Sequence, residues 1–263
     1  MSMRYEILGD DMQMVVLSLD PGQAMMAEAG SMMYMTDSIE METRLRGQKK
    51  DEGLLGGLAS GFSRALSGQS FFVTTYTANR APGTVAFTPP YPGKVMMLNL
   101  RETGPMVCQR NSFLCSELDV EINVAFTKRF GAGLFGGEGF ILEKLSGDGS
   151  VFIHSAGMVV SLDLEYGQSL RVDTGCLVAM TESVDYDIEM VKGIKSIFFG
   201  GEGMFLARLQ GPGKVYLQSL PFSRMADRII QASHLSAGGG RVEQSTGVAG
   251  IGADLLGGLF SGE

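Results

Sequence analysis

The sequence of 263 residues contains no tryptophan, three cysteines and two histidines. The cysteines, Cys108, Cys115 and Cys176, are odd in number and show no CxxC spacing, so a disulfide framework is not expected and a reducing compartment is indicated. No run reaches the roughly 18 apolar residues that span a bilayer, and the acidic N-terminus resembles no targeting signal. We therefore expect a cytoplasmic protein.

An excess of basic residues is also missing. The formal net charge is −8 at pH 7, and the densest basic run, at 44–50, is followed directly by Asp51 and Glu52. Because nucleic-acid affinity depends on cations gathered against phosphates, this balance argues against a DNA or RNA partner. The basic run is interpreted as a loop in solvent.

The scarcity of histidine limits the chemistry that the chain can carry. With His154 and His234 alone, a cluster of imidazoles around a metal cannot be built, and a catalytic triad would depend on His154. The glycines at 131–136 have dinucleotide-binding spacing, but no βαβ unit surrounds them. We assign no catalytic, cofactor-binding or metal-binding residue, and we expect no enzyme activity.

The sequence is rich in alternation and in turns. The stretch VDYDIEM at 184–190 places apolar and acidic residues on opposite faces, and 118–124 and 39–42 do the same. With 37 glycines and turn signals such as SGDG and GPG, the pattern predicts short antiparallel strands. The acidic positions are interpreted as solvated strand faces and not as a Ca²⁺ site. These positions are Glu40, Glu42, Glu121, Asp185 and Asp187.

The pentapeptide FGGEG occurs at 135–139 and again at 199–203, and a shift of 64 residues aligns the surrounding sequence without a gap. A further shift of 81 aligns the N-terminal part, which indicates a third copy. Five identities link the first copy to the last: Gly22, Gln23, Gly30, Thr36 and Ser38 recur as Gly167, Gln168, Gly175, Thr181 and Ser183. Units this short bury their apolar faces by packing on one another, so one body with pseudo-threefold symmetry is expected.

These observations predict an all-β protein of three tandem units, each made of several short antiparallel strands, with short helical segments. The predicted order is a lead strand at 1–11, unit 1 at 12–92 with an insertion at 46–67, unit 2 at 93–156, unit 3 at 157–221, and a short helix with a Gly-rich tail at 222–263.

The repeated pentapeptide is interpreted as a structural corner, because glycine permits positive φ and close approach at the start of a strand. A ligand-binding role for its glutamates is disfavoured, since Gln69 takes their place in the first unit. The corner residues are Gly136, Gly137, Glu138 and Gly139 in one copy and Gly200, Gly201, Glu202 and Gly203 in the other.

The GGEG corners, the GPG hairpin and the sequence LPFSRMADRI after the last repeat resemble the altered-inheritance-of-mitochondria family, a bacterial domain of unknown function, over residues 3 to about 232. The resemblance implies a fold like that of the trp RNA-binding attenuation protein, a short double-stranded β-helix or β-sandwich unit, present three times in one chain with pseudo-threefold symmetry. It implies neither an enzyme activity nor an established ligand. No RNA- or tryptophan-binding residue of the attenuation protein can be matched here, so only the fold carries over.

Methionine is frequent, at 18 residues, ten of them before position 45. Adjacent methionines in a strand, such as Met32 and Met33, point to opposite faces, so part of this set faces outward unless another surface covers it. A subunit interface and repacking inside the body both account for such cover.

Two apolar segments lie outside the repeat, at 53–68 and at the C-terminus. In the first, an apolar stripe recurs at every fourth residue, as on one face of a short helix: Leu54, Leu58, Phe62 and Leu66. It is interpreted either as a cover for the barrel end or as a contact surface for another subunit. Membrane contact is not favoured, because no Lys/Arg flank accompanies the stripe.

Two functions remain open at this point. The first is a non-catalytic scaffold or interaction protein that forms a homo-oligomer or binds an unidentified protein partner. The second is a small-molecule binding protein whose sites lie between adjacent units. No cofactor is expected for either.

Overall fold

The computed structural model describes residues 3–45, 72–128, 140–190 and 205–236. We refer to the stretches 12–92, 93–156 and 157–221 as segments 1, 2 and 3. The strand β1 (Arg4–Leu8) precedes segment 1, and each segment then contains six strands among its described residues.

The strands of the three segments have the following bounds. Segment 1 contains β2 (Met14–Leu19), β3 (Ala24–Glu28), β4 (Met32–Met35), β5 (Ile39–Leu45), β6 (Phe72–Ala78) and β7 (Gly83–Phe87). Segment 2 contains β8 (Gly93–Asn99), β9 (Met106–Gln109), β10 (Phe113–Glu117), β11 (Val120–Lys128), β12 (Phe140–Gly147) and β13 (Ser150–Ala156). Segment 3 contains β14 (Val159–Leu164), β15 (Ser169–Asp173), β16 (Leu177–Thr181), β17 (Asp185–Met190), β18 (Phe205–Gln210) and β19 (Gly213–Gln218).

Among the described residues, the strands form four antiparallel sheets. Sheet A has the order β1-β2-β7-β4 and sheet B the order β5-β6-β3-β10-β13-β8. Sheet C has the order β11-β12-β9-β16-β19-β14 and sheet D the order β15-β18-β17. In every segment the sixth strand lies between the first and the third, and the fifth lies between the second and the fourth.

Neighbouring segments share a sheet. In sheet B, β3 of segment 1 pairs with β10 of segment 2, and in sheet C, β9 of segment 2 pairs with β16 of segment 3. We call these two pairings the internal junctions. They place three strands of each segment in the same sheet as three strands of the next.

The apolar residues fill three core clusters, which correspond largely to the three segments. In β2, alternation buries Val15, Leu17 and Leu19 and leaves the intervening side chains half-buried. In contrast, β9 is buried at every position, because it lies inside sheet C with a core on each face. Burial on both faces explains why every position of β9 is buried, whereas burial alternates along β2, whose second face is only partly covered.

The three alternating stretches of the sequence all fall on outer strands. The residues 39–42 lie in β5, 118–124 run into β11, and 184–190 run into β17. Each of these strands is the terminal strand of its sheet, and its apolar face is covered only in part, because Ile122 and Ile188 are buried while Met41 and Val124 are exposed. Ile39, Val120 and Val184 are the buried residues at their starts.

Helices are few in the described residues. A single turn, α1 (Leu100–Thr103), begins after Asn99, whose side chain accepts a hydrogen bond from the Arg101 amide. A longer helix, α2 (Phe222–Ser236), follows the last strand. Neither helix has the length and apolar character needed to cross a membrane.

The predicted all-β class is therefore confirmed. Symmetry about a pseudo-threefold axis and the unit boundaries stay predictions.

Candidate interaction edges

The residues that the sequence singled out as corners and as a contact stripe lie outside the described residues. These are Gly136, Gly137, Glu138, Gly139, Gly200, Gly201, Glu202 and Gly203 for the corners, and Leu54, Leu58, Phe62 and Leu66 for the stripe. Their roles stay predictions. The described part of the chain instead draws attention to the strand edges at which the four sheets end.

The two internal junctions have the same geometry. Cys115 lies opposite Ala27 in the first junction, and Ala179 lies opposite Cys108 in the second. The two registers are equivalent, because adding 64 to the number of Cys115 gives Ala179 and adding 81 to that of Ala27 gives Cys108. One rule therefore joins segment 1 to segment 2 and segment 2 to segment 3.

Each third strand carries a bulge next to the junction. The register shifts between Phe113 and Cys115 in β10, between Leu177 and Ala179 in β16, and between Met32 and Tyr34 in β4. The extra residue is thus Leu114, Val178 or Met33. The three bulges occupy equivalent positions, and a bulge changes the direction of the side chain of its extra residue.

At the internal junctions this bulge residue is fully buried in the core of the preceding segment. Leu114 packs in one cluster with Leu17 and Met25 of segment 1, and Val178 packs in one cluster with Val120 of segment 2. The residue that follows each bulge, Cys115 or Ala179, belongs to the same cluster as its neighbour. The bulges therefore act as apolar contacts between segments.

The corresponding bulge of segment 1 lies in solvent. Met33 is 59% exposed and Tyr34 is 44% exposed, whereas Leu114 and Val178 are 0% exposed. Met33 faces outward because β4 ends sheet A, and β15, which ends sheet D, is the second strand left without a junction in the described part of the chain. We call β4 and β15 the open edges.

Recurring side-chain hydrogen bonds hold the loops beside these strands. The Thr36 hydroxyl accepts a hydrogen bond from the Thr84 amide at 3.0 Å, and the Thr181 hydroxyl accepts one from the Lys214 amide at the same distance. In segment 2 the Glu117 carboxylate accepts the equivalent bond from Ser150. Each bond ties the end of a third strand to the start of a sixth strand.

A buried polar group lies between segments 1 and 2. His154 of β13 is 0% exposed, and neither of its ring nitrogens makes a hydrogen bond in the structure. The Tyr91 ring lies 5.0 Å from the imidazole, and Phe222 of α2 stacks on Tyr91 at 5.8 Å. Burial lowers the pKa of His154 from 6.5 to about 4, so the imidazole is neutral at physiological pH.

Burial lowers the reactivity of the three thiols. Cys108 and Cys115 are fully buried, and burial raises the pKa of each thiol well above its ordinary value. Cys176 is half-buried, and burial raises its pKa as well, with Asp173 adding to the shift. No group of His, Cys, Asp and Glu that could hold a metal ion occurs among the described residues.

The family model described as "Mitochondrial biogenesis AIM24" matches residues 5–220, which include the nineteen strands of the described residues except the first residue of β1. This chain belongs to the AIM24 family. The resemblance noted in the sequence is thereby confirmed, and the matched region contains both open edges and both internal junctions.

Two streptococcal relatives of this AIM24 chain are informative. An uncharacterized protein of Streptococcus pyogenes serotype M6 is 29% identical over 215 residues, which cover 81% of this chain and 84% of the relative. The crystal structure of a protein from Streptococcus pyogenes is similar with a TM-score of 0.69 and 26% identity, covering 88% of this chain and 100% of that chain. Neither name states a function.

Sequence reasoning found part of this site. The adjacent methionines indicated that one side chain of the pair faces outward, and Met33 does so while Met32 packs against the core of segment 1. The position of β4 as an open edge was missed. Its signal was available, because the shift that aligns Met33 with Leu114 also identifies β4 as the equivalent of a junction strand.

Proposed function

We propose that this AIM24 protein is a non-catalytic scaffold that acts by binding protein chains at its open edges. The observation that supports it most directly is the exposure of Met33 and Tyr34 at a position where equivalent side chains are buried. An unpaired sheet edge offers a row of backbone donors and acceptors, and it binds other strands readily. The two internal junctions, where strands of neighbouring segments pair edge to edge, support this kind of binding.

The chemistry of the buried groups supports a non-catalytic role. A nucleophilic cysteine requires a lowered pKa and access to solvent, whereas Cys108 and Cys115 have neither. His154 is likewise enclosed. We propose a cytoplasmic location for the scaffold, in keeping with the reduced thiols of its sequence.

Size analysis in a lysate of the native host tests the scaffold function. The chain has a mass of 28.1 kDa. We expect the wild-type protein to elute in a larger complex and Met33→Asp to elute as a single chain. Met158→Asp is the matched control, because Met158 is 60% exposed and lies outside the open edges. Elution of the wild type as a single chain would contradict the proposal.

A second candidate function rests on His154. Its two ring nitrogens lie unpaired beneath the Tyr91 ring, at the boundary of segments 1 and 2, where a small polar molecule would find a donor or acceptor. Native mass spectrometry of the purified chain tests it. A bound mass that is present in the wild type and absent in His154→Phe supports small-molecule binding, and a bare chain in both argues against it.

A further inference from the structure

We infer that β4 of one copy pairs antiparallel with β15 of a second copy, so that sheet A of one copy and sheet D of the other become one sheet. This inference rests on the proposed scaffold function and names the partner that the open edges bind. The resulting strand order, β1-β2-β7-β4 followed by β15-β18-β17 of the second copy, repeats the order of sheets B and C with β1 added.

The register of the proposed pairing follows from the internal junctions. In those junctions the residue after the bulge, Cys115 or Ala179, lies opposite Ala27 or Cys108. The equivalent residue after the bulge of β4 is Tyr34, and the shifts of the repeat make Val172 the equivalent of its partner. The expected opposed pairs are Tyr34 with Val172, Met35 with Arg171 and Thr36 with Leu170.

The apolar side chains fit this arrangement. Leu114 and Val178 insert into the core of the preceding segment, so Met33 is expected to insert into the core of segment 3 in the second copy. On that side, Val172 belongs to the segment 3 core and Leu170 packs against it. Thus an exposed methionine meets an apolar core beside an open strand edge.

The second copy is favoured as the partner over a strand of unrelated sequence. Both halves of the junction are present in one chain, and each matches the internal junctions in strand position, with the same bulge on the β4 side. In the described residues of a single chain, β4 and β15 lie in separate sheets and do not pair with one another. Pairing between copies satisfies both edges without changing the fold of either copy.

The proposed contact joins different surfaces of the two copies. It is therefore heterologous, and an open chain of copies keeps one unpaired β4 edge at one end and one unpaired β15 edge at the other until it closes into a ring. We accordingly expect copies to associate head to tail rather than about a twofold axis. Two β4 edges or two β15 edges do not form this junction.

Disulfide trapping between copies tests the register directly. Opposed residues of antiparallel strands have Cα atoms about 4.5–5.5 Å apart, which suits a disulfide, whereas diagonal neighbours lie about 7–8 Å apart. The background is Cys176→Ser, which leaves Cys108 and Cys115, both buried. Tyr34→Cys and Val172→Cys are made in separate proteins, purified, mixed and oxidised.

We expect a covalent dimer from the mixture of Tyr34→Cys with Val172→Cys and at least tenfold less from either protein alone. The out-of-register control is Tyr34→Cys with Leu170→Cys, whose two positions lie on the same strand faces as the first pair. Equal dimer yields from the two mixtures would overturn the proposed register. No dimer from the first mixture would overturn the pairing.

Light scattering of the purified chain tests the choice of partner. We expect the wild type and Met33→Leu to have the mass of an oligomer, because leucine is the buried residue at the equivalent position in β10. Met33→Asp is expected to lower the mass to that of one chain with an unchanged β circular-dichroism spectrum, while Met158→Asp keeps the oligomer. A purified wild type with the mass of one chain would overturn the inference.

The two proposals fail differently. If the purified chain is a monomer but the complex in the lysate persists and is lost in Met33→Asp, a different protein binds the edge. The scaffold function then stands, and pairing with a second copy is rejected. If both preparations are monomeric, both proposals are rejected.

Discussion

Gly213 lies against Val184 so closely that a β-carbon on the glycine would stand 2.6 Å from Cγ2 of the valine. Gly149 has the same relationship to Val120, at 2.7 Å. In segments 2 and 3, a glycine at the start of the sixth strand (β13 or β19) therefore packs on a valine at the start of the fourth strand (β11 or β17). This contact fixes the hairpin against the core.

Gly213→Ala is expected to lose at least about 2 kcal/mol of unfolding free energy, because the added methyl group overlaps Val184 and φ is +149°. The comparison is Gly167→Ala, where φ is +82° but no atom lies within 4 Å. There only backbone strain remains, about 1 kcal/mol. Urea denaturation measures both, and equal losses would contradict the packing argument.

His154 predicts a stability that depends on pH. The unfolded chain binds a proton below its pKa of 6.5, whereas the folded chain does so only near 4. The unfolding free energy should therefore fall as pH drops through this window, by about 3 kcal/mol in total, and level off below it. Denaturant titrations at pH 7 and pH 4 measure the change.

His154→Gln is the control for this pH dependence, because Gln218 occupies the equivalent position in segment 3. Carboxylates titrate alike in both proteins, so the difference between them isolates the imidazole. A pH dependence that is identical in the two proteins would contradict the assignment.

Gln218 bridges two backbone groups in a buried position. Its side-chain oxygen accepts a hydrogen bond from the Ala156 amide at 2.8 Å, and its side-chain nitrogen donates to the Gly175 carbonyl at 2.7 Å. Gln218→Met leaves both groups without this partner, and we expect a loss of about 2 to 4 kcal/mol by thermal or urea unfolding. Gln168→Met, which removes one exposed bond to the Glu165 amide, should lose less than about 1 kcal/mol.

The thiols should report the packing of the core. At pH 8, Ellman's reagent is expected to label Cys176 slowly and Cys108 and Cys115 only after unfolding, because burial raises the pKa of all three. The variant Cys176→Ser should then give no signal in the folded state. Rapid labelling of that variant without denaturant would mean that the core opens.

The equivalence of the first and last segments was predictable from sequence because recurring side chains make the same hydrogen bonds in both. Thr36 and Thr181 were matched from the sequence, and both accept the same bond from a sixth strand. Glu117 accepts that bond in segment 2 but shares no identity with threonine. A hydrogen bond that requires only an acceptor oxygen can be made by different residue types, so a comparison of residue identities does not detect it.

The open edges were harder to predict from sequence. Met33 and Leu114 are both apolar, and nothing in either residue says whether a neighbouring strand will cover it. Exposure at this position depends on whether a strand of another segment pairs beside it. In the described residues β10 pairs with β3 and β16 pairs with β9, whereas β4 ends sheet A, so its bulge lies in solvent while the other two are buried.

The internal junctions also determine how the molecule comes apart. Sheet B combines strands of segments 1 and 2, and sheet C combines strands of segments 2 and 3. Separating the segments at the sequence boundaries 92/93 and 156/157 would therefore break hydrogen-bonded sheets. Unfolding segment 2 alone would break the central pairings of both sheets and expose core residues of segments 1 and 3 to solvent. Amide protons in β3, β9, β10 and β16 should therefore exchange together, through one cooperative opening, and not segment by segment.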